Sequence, residues 1–197
     1  MQKPARARIL DAAHELMLTI GLARATTKEI AKAAGCSEAA LYKYFANKEE
    51  LFVTVLKERL PKLNPLLDRL VEHPGKRTVE ENLTEIAREA ALFYAESFPI
   101  AASLYAEPKL KQRHDATMRE MGRGPHVPIR RLDAYLRAEQ AAGRIGPDAD
   151  TYAAASLLLG ACAQRAFAYD MTEDGKPPQP VDEFAASLVR TLLRGIG

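Results

Sequence analysis

The chain has 197 residues, 47% of them hydrophobic and 27% charged, two cysteines, and a formal net charge of +2. That composition holds enough apolar material for one large domain, or a small one beside a larger one, and it excludes a disordered chain and a disulfide framework. The longest mainly apolar run, residues 153–163, is too short to span a bilayer, and the basic N-terminus leads into an amphipathic stretch instead of a signal-peptide core, so a soluble, cytoplasmic protein is expected.

Apolar residues recur at helical spacing in almost every segment, and none alternates convincingly as a strand does, which predicts an all-α chain. The first helix carries Ile9, Ala13, Leu16 and Ile20 and stops at Gly21. Thr26 with Glu29 three residues on is a capping-box pattern, so a second helix opens after Thr26. Ile30 and Ala34 face inward on it, and Gly35 ends it in the left-handed region. Ser37 caps a third helix of about two turns bearing Leu41 and Phe45. Asn47 caps a fourth, with Leu51, Phe52, Val55 and Leu56 as its apolar face.

Two readings stay open at Pro61 and Pro65: the fourth helix ends near Leu60 or continues with a kink, and Asn64-Pro65 can start a new one. His73-Pro74-Gly75 is a turn. Thr78 with Glu81 is a second capping box, opening a helix to about Ser97, with Pro99 as its end or a sharp bend. Residues 100–107 read as a short helix and Lys109–Met121 as another, before the break Gly122-Arg123-Gly124-Pro125. A helix from about Val127 to Ala142 has Ile129, Leu132 and Leu136 as its stripe. After a turn over Gly143–Pro147, Asp148 or Asp150 starts a helix through Met171. Residues 174–180 are a loop, and the last helix runs from about Val181 to Arg194.

Residues 26–45 carry the clearest chemistry. Two short helices joined by Gly35-Cys36-Ser37 must cross at a sharp angle, the helix-turn-helix arrangement that sets a second helix in the major groove. Its outward face holds Ala39, Ala40, Lys43 and Tyr44, where small residues allow close approach to base edges. Lys43 can donate to guanine or phosphate, and the Tyr42 and Tyr44 hydroxyls can bond phosphate oxygens. Thr27, Ser37 and Lys48 sit at helix starts, where free amides favour phosphate. Glu38 is out of place beside phosphate but can accept from a cytosine amine. Charge supports this placement: residues 1–48 hold eight Lys/Arg against four acids, while the remainder holds 20 against 22. An ordinary packed helix pair with a solvated basic face remains the alternative.

Arg8-Ile9-Leu10-Asp11-Ala12-Ala13, Gly21, Thr26-Thr27-Lys28-Glu29-Ile30-Ala31, Ala34-Gly35-Cys36-Ser37, Leu41-Tyr42-Lys43-Tyr44-Phe45 and Lys48-Glu49-Glu50-Leu51, in that order, resemble the N-terminal domain of the TetR/AcrR family of bacterial repressors over about residues 6–56. Cys36 stands where valine is usual there and Ala39 where glycine is frequent. Both are small. The resemblance implies an all-helical repressor of about nine helices that works as a homodimer on double-stranded DNA. It further implies a helix-turn-helix domain over residues 1–50 and a ligand-binding and dimerisation domain over residues 51–197. At the matching positions it implies DNA contacts from Thr27, Lys28, Ser37, Ala39, Ala40, Tyr42, Lys43, Tyr44 and Lys48, with Leu41 and Phe45 as core.

Beyond about residue 60 no motif is as specific. Residues 153–163 are apolar nearly all round, and the last helix has Val181, Phe184, Ala185, Leu188 and Leu192 on one stripe. A two-fold interface through the last two helices would cover both, with a monomer core as the alternative. An unknown small-molecule effector is expected on the middle helices, against Phe93, Phe98, Tyr105, Met118, Met121, Tyr135 and Phe167, with Gln164 among the polar partners beside His114, His126 and Arg165. Ordinary core packing is the competing reading for each. No nucleophile–base pair, metal motif or glycine-rich phosphate loop occurs, so neither enzyme activity nor a cofactor is expected, nor a membrane partner. Cys36 and Cys162 read as packing, with a redox role as the alternative.

Overall fold

The computed structural model describes residues 3–59, 63–73, 75, 77–105, 108–120, 122, 124–169 and 179–195. Among them ten helices form and no strand, the all-α architecture expected, with one helix more than the nine anticipated. The chain divides into two compact units. One, the head, comprises residues 1–60 and 96–124; the other, the body, comprises residues 61–95 and 125–197.

The head contains α1 (Ala5–Arg24), α2 (Thr27–Ala33), α3 (Glu38–Leu41), α4 (Lys48–Glu58), the end of α6 (Val79–Tyr105) and α7 (Pro108–Glu120). Gly21 breaks α1 with φ 80° and ψ 157°, values a side chain would resist. Ile9, Leu10, Met17, Ile30, Leu41, Phe45 and Leu51 form one buried cluster. Ion pairs tie the helices around it: the two terminal Arg6 guanidinium nitrogens reach Glu58, at 2.9 and 2.7 Å, and Arg59 Nε lies 2.7 Å from Asp11. Arg8 Nε donates to the Ala34 carbonyl at 3.0 Å.

The proline at position 99 does not end its helix. Residues 100–105 continue α6, so the separate short helix expected over residues 100–107 is not formed, residues 106 and 107 lying outside the described set. Pro99 forfeits one backbone hydrogen bond, but Ile100 and Leu104 just beyond it are 0% and 4% exposed, and burying two aliphatic side chains outweighs that loss. The first turn of α6 carries the capping box read from sequence: Thr78 N–H donates to Glu81 Oε2 at 2.8 Å, and Glu81 N–H donates to Thr78 Oγ1 at 3.2 Å.

His114 on α7 sets its ring edge-on to Phe52 of α4, with centroids 4.9 Å apart. Burial holds its imidazole below the ordinary value of 6.5, ahead of smaller effects from Asp115, Lys111 and Glu49. The unfolded chain therefore takes a proton that the folded head resists. The head should keep its stability above about pH 6.5 and lose part of it as pH falls below that value. Urea midpoints at pH 7.5 and pH 5.5 will differ for the parent chain, and the difference will shrink in His114→Gln. Equal midpoints in the parent would remove His114 as the cause.

The body contains α5 (Leu63–Glu72), the first part of α6, α8 (His126–Ala141), α9 (Thr151–Tyr169) and α10 (Val181–Arg194). Helix α5 starts at Leu63, so Pro65 falls in its first turn, where no intrahelical N–H is required. The fourth helix does not continue into it as a described element, since residues 60–62 lie outside the described set. Asp150 caps α9, its Oδ1 accepting from Ala153 N–H at 2.9 Å, and the helix is described as far as Tyr169. Leu63, Leu67, Leu83, Ile86, Leu132, Tyr135, Leu158 and Val189 form the body core. Cys162 belongs to it; its thiol donates to the Ala87 carbonyl at 3.4 Å, and burial pushes its pKa up to about 12.

The body core also holds polar groups. Asn82 Nδ2 donates to the Tyr135 hydroxyl at 2.9 Å, with both residues buried. Glu139 is 0% exposed, and Arg144 Nε sits 2.5 Å from its Oε2. Arg144 is delivered there by the end of α8. Gly143 takes φ 72°, its N–H bonds the Gln140 carbonyl at 3.0 Å, and Arg144 N–H bonds the Glu139 carbonyl at 2.9 Å, a Schellman closure.

Candidate nucleic-acid interface

Local rules build the α2–α3 pair. Thr26 Oγ1 accepts from Glu29 N–H at 3.2 Å, and Glu29 Oε2 accepts from Thr26 N–H at 3.0 Å, closing the expected capping box. The Thr26 N–H, and the Thr26 hydroxyl donating to the same Oε2 at 2.9 Å, hold the Glu29 carboxyl below its ordinary value. Gly35 turns the chain at φ 67°. Ser37 then caps α3, its Oγ accepting from Ala40 N–H at 3.2 Å. Asn47 caps α4 by accepting from Glu50 N–H at 2.7 Å, while Glu50 accepts from Ala46 N–H at 2.7 Å.

One expectation needs correction. Helix α3 is four residues long, Glu38–Leu41, and not two turns. Past Tyr42 the backbone tightens: Lys43 N–H bonds the Ala40 carbonyl at 3.3 Å and Tyr44 N–H bonds the Leu41 carbonyl at 2.9 Å, three-residue spacings that end an α-helix. Phe45, 2% exposed, anchors the end of this turn in the head core, with the Arg6 guanidinium 5.6 Å above its ring.

The nine positions named for DNA contact all reach the surface. Lys28, Ser37, Ala39, Tyr42, Lys43 and Tyr44 are exposed, while Thr27, Ala40 and Lys48 are half-buried. Leu41 and Phe45 point the other way, at 0% and 2% exposure. Tyr42 and Tyr44, at 49% and 45%, are the large apolar side chains this unit leaves open on the turn. Two basic residues at the start of the chain, Lys3 before α1 and Arg6 in its first turn, are differently employed. Lys3 pairs with Asp11 at 2.9 Å and Arg6 with Glu58, whereas Lys28, Lys32 and Lys43 stand exposed on the α2–α3 surface. Cys36, half-buried in the turn, is a free thiol.

Sequence reasoning missed one arrangement on this surface. Thr27 Oγ1 donates to Glu38 Oε1 at 2.5 Å and lies 3.3 Å from the Tyr42 hydroxyl. The partners are 11 and 15 positions apart, and only the crossing angle of the two helices brings them together.

The residues named for an effector are divided between the units. In the body, Tyr135 is buried, Phe93 is half-buried and edge-on to Tyr94 at 5.4 Å, Gln164 is exposed, and Phe167 is 52% exposed. In the head, Phe98 and Met118 are half-buried, and Tyr105 is 65% exposed with the Lys111 ammonium 5.0 Å from its ring. Met121 lies outside the described residues. Among the described residues no cluster of His, Cys, Asp or Glu could hold a metal ion, and no helix is long and apolar enough to cross a membrane.

Comparison with known proteins gives this surface a context. Residues 9–55 match the family model described as bacterial regulatory proteins, tetR family. A fatty acid metabolism regulator protein of Bacillus subtilis is 32% identical over 83 residues, which are 42% of this chain and 41% of that protein. The chain thus spans less than half the length of the curated relatives it matches. Among solved structures, the regulator FadR of Bacillus subtilis in complex with stearoyl-CoA superposes with a TM-score of 0.70, at 22% identity, over 97% of this chain and 99% of that one. The fatty acid degradation regulator FadR of Bacillus halodurans gives a TM-score of 0.69, at 21% identity, over 100% and 98%. At those identities the likeness establishes a shared fold.

Proposed function

We propose, from the premise that the chain belongs to the tetR family of bacterial regulatory proteins, that it is a repressor that binds a palindromic operator as a homodimer and releases it on binding a small-molecule effector. The observation that carries the reading is the α2–α3 surface, where small residues, two tyrosines and lysines stand outward while Leu41 and Phe45 anchor the turn beneath them. Thr27, Lys28, Ser37, Tyr42, Tyr44 and Lys48 grip the sugar-phosphate backbone, and Ala39, Ala40 and Lys43 approach base edges. Two such heads read half-sites about 34–36 Å apart.

The functional division runs near residue 50, with residues 1–50 on DNA and residues 51–197 serving effector and partner. The dimer forms through α9 and α10. Leu157 at 64% exposure, Tyr152 at 52% and Leu193 at 43% are the apolar side chains a second copy would cover. Phe93, Tyr135, Gln164 and Phe167 in the body are the effector contacts, and Phe98, Tyr105, Met118 and Met121 are the remaining candidates. The relative with stearoyl-CoA bound makes a long-chain acyl-CoA the first effector to try. Such a ligand raises the melting temperature with concentration as linkage requires.

Selection of bound fragments from a random duplex library tests the whole reading. The expected product is an inverted repeat with half-site centres one helical turn apart. Recovery of no preferred sequence, together with affinity that ignores salt, would refute it. On the recovered site Lys43→Ala will weaken binding by about 1–3 kcal/mol if the ammonium meets a guanine, and evenly across all sequences if it meets a phosphate. Unchanged affinity in a gel shift at physiological salt would remove Lys43 from the contact surface.

A further inference from the structure

Thr27 opens α2 and Glu38 opens α3, and their side chains, both half-buried, meet at 2.5 Å where the two helices cross. An ionised carboxylate only accepts, so the one hydroxyl hydrogen of Thr27 is committed to Glu38. The contact of 3.3 Å between Thr27 Oγ1 and the Tyr42 hydroxyl must then run from the phenol O–H into Thr27. That second link is longer than the usual 2.5–3.0 Å of an O–H···O bond, and so is weaker than the first. The result is a directed chain, Tyr42 to Thr27 to Glu38. Two hydroxyls suited to phosphate oxygens have their hydrogens turned toward a carboxylate, which itself repels phosphate.

We infer that Glu38 is a specificity-determining residue that withholds the Thr27 and Tyr42 hydroxyls from the DNA backbone until it meets the exocyclic amine of a cytosine or adenine. The inference rests on the duplex-DNA reading above. Where such an amine lies in the major groove, the carboxylate exchanges one donor for another and loses little, and Thr27 and Tyr42 become free to donate to phosphate. Where the pair is reversed, Glu38 faces the guanine or thymine oxygen and the amine of that pair lies on the opposite strand, away from the carboxylate. Glu38 stays on Thr27, and the backbone contacts are not made. Mismatch at one base thus removes phosphate contacts as well as the base contact, which widens discrimination by penalising wrong sequences.

The test is a double-mutant cycle of Thr27→Val and Glu38→Ala, titrated against the best selected duplex and a scrambled duplex. The helix caps are Thr26 and Ser37, so neither substitution removes one. On scrambled DNA, Thr27→Val should weaken the Glu38→Ala chain about fivefold, the worth of one hydrogen bond, and the parent by distinctly less. On selected DNA, Thr27→Val should cost about fivefold with Glu38 present, and Glu38→Ala should lower the ratio of selected to scrambled affinity. Glu38→Met, of similar length and without an acceptor, repeats the cycle should the alanine chain melt early. Equal effects of Thr27→Val in both backgrounds on scrambled DNA, or an unchanged affinity ratio in Glu38→Ala, overturns the inference while leaving the DNA reading intact. Absence of any salt-dependent duplex binding by the parent overturns the DNA reading itself, and the inference with it.

Discussion

Arg144→Ala will destabilise the chain by about 3 kcal/mol, the low end of the cost of removing one partner from a buried ion pair. The low end applies because the Arg144 side chain is 38% exposed, whereas Glu139 is wholly withdrawn from water at 0%. Without the guanidinium, 2.5 Å away, the carboxylate has no charge to balance it and no solvent to replace it. The Schellman backbone bonds at Gly143 and Arg144 do not depend on the side chain, so the end of α8 keeps its geometry and the loss is electrostatic. Glu139→Gln in the same chain should recover much of the loss, because an amide is cheaper to bury than an ion. Denaturant melts of the parent, the single variant and the double variant decide it. A single-variant loss under about 1 kcal/mol would show that the pair contributes no more than a surface ion pair.

Phe45→Ala is the second large effect. A phenylalanine at 2% exposure truncated to alanine costs about 3–5 kcal/mol in transfer free energy and cavity. The site also carries the Arg6 guanidinium, 5.6 Å above the ring and bonded at its far side to Glu58, so the truncation removes a cation–π contact as well. Phe45 N–H closes the turn onto the Leu41 carbonyl at 3.2 Å, so the loosened segment is the one that carries Tyr42, Lys43 and Tyr44. DNA affinity should therefore fall further than in Lys43→Ala, although Phe45 touches no nucleotide in the proposed complex. Phe45→Leu, which keeps most of the volume, should keep most of both quantities. A Phe45→Ala chain with parental stability and parental affinity would contradict the packing account and the proposed placement of the turn.

What was legible in the amino-acid order was what short-range chemistry decides. Thr26 with Glu29, and Thr78 with Glu81, are three residues apart, and each pair closes reciprocally as its spacing predicts. Gly21 and Gly35 take the positive φ values that mark them as breaks. The last helix falls where its apolar stripe puts it, Val181–Arg194. Local rules failed where burial or a distant partner outvoted them. Of the two outcomes Pro99 argues for, an end or a sharp bend, the end does not occur, because Ile100 and Leu104 carry the helix on by packing in the head core. Glu139 lies four positions after Tyr135 and seven after Leu132, on the buried face of α8, and that register could have flagged it as a buried acid in need of a cation. The candidate surface was legible as a set of outward positions. Its internal wiring, Thr27 to Glu38 across 11 residues, was not, because nothing local specifies which side chains a helix crossing brings together. Counting basic residues overstated the N-terminus in the same way, since Lys3 and Arg6 are engaged by Asp11 and Glu58.

The unequal surroundings of the two thiols provide a ready-made attachment point for an optical reporter. Cys162 is 0% exposed and keeps its proton to about pH 12, so it is inert to alkylation at neutral pH. Cys36 sits in the turn between α2 and α3 with part of its surface open. A maleimide dye applied to the folded chain should mark Cys36 ahead of Cys162, with no engineered cysteine, and in the proposed complex its emission will register what occupies the neighbouring α2–α3 surface.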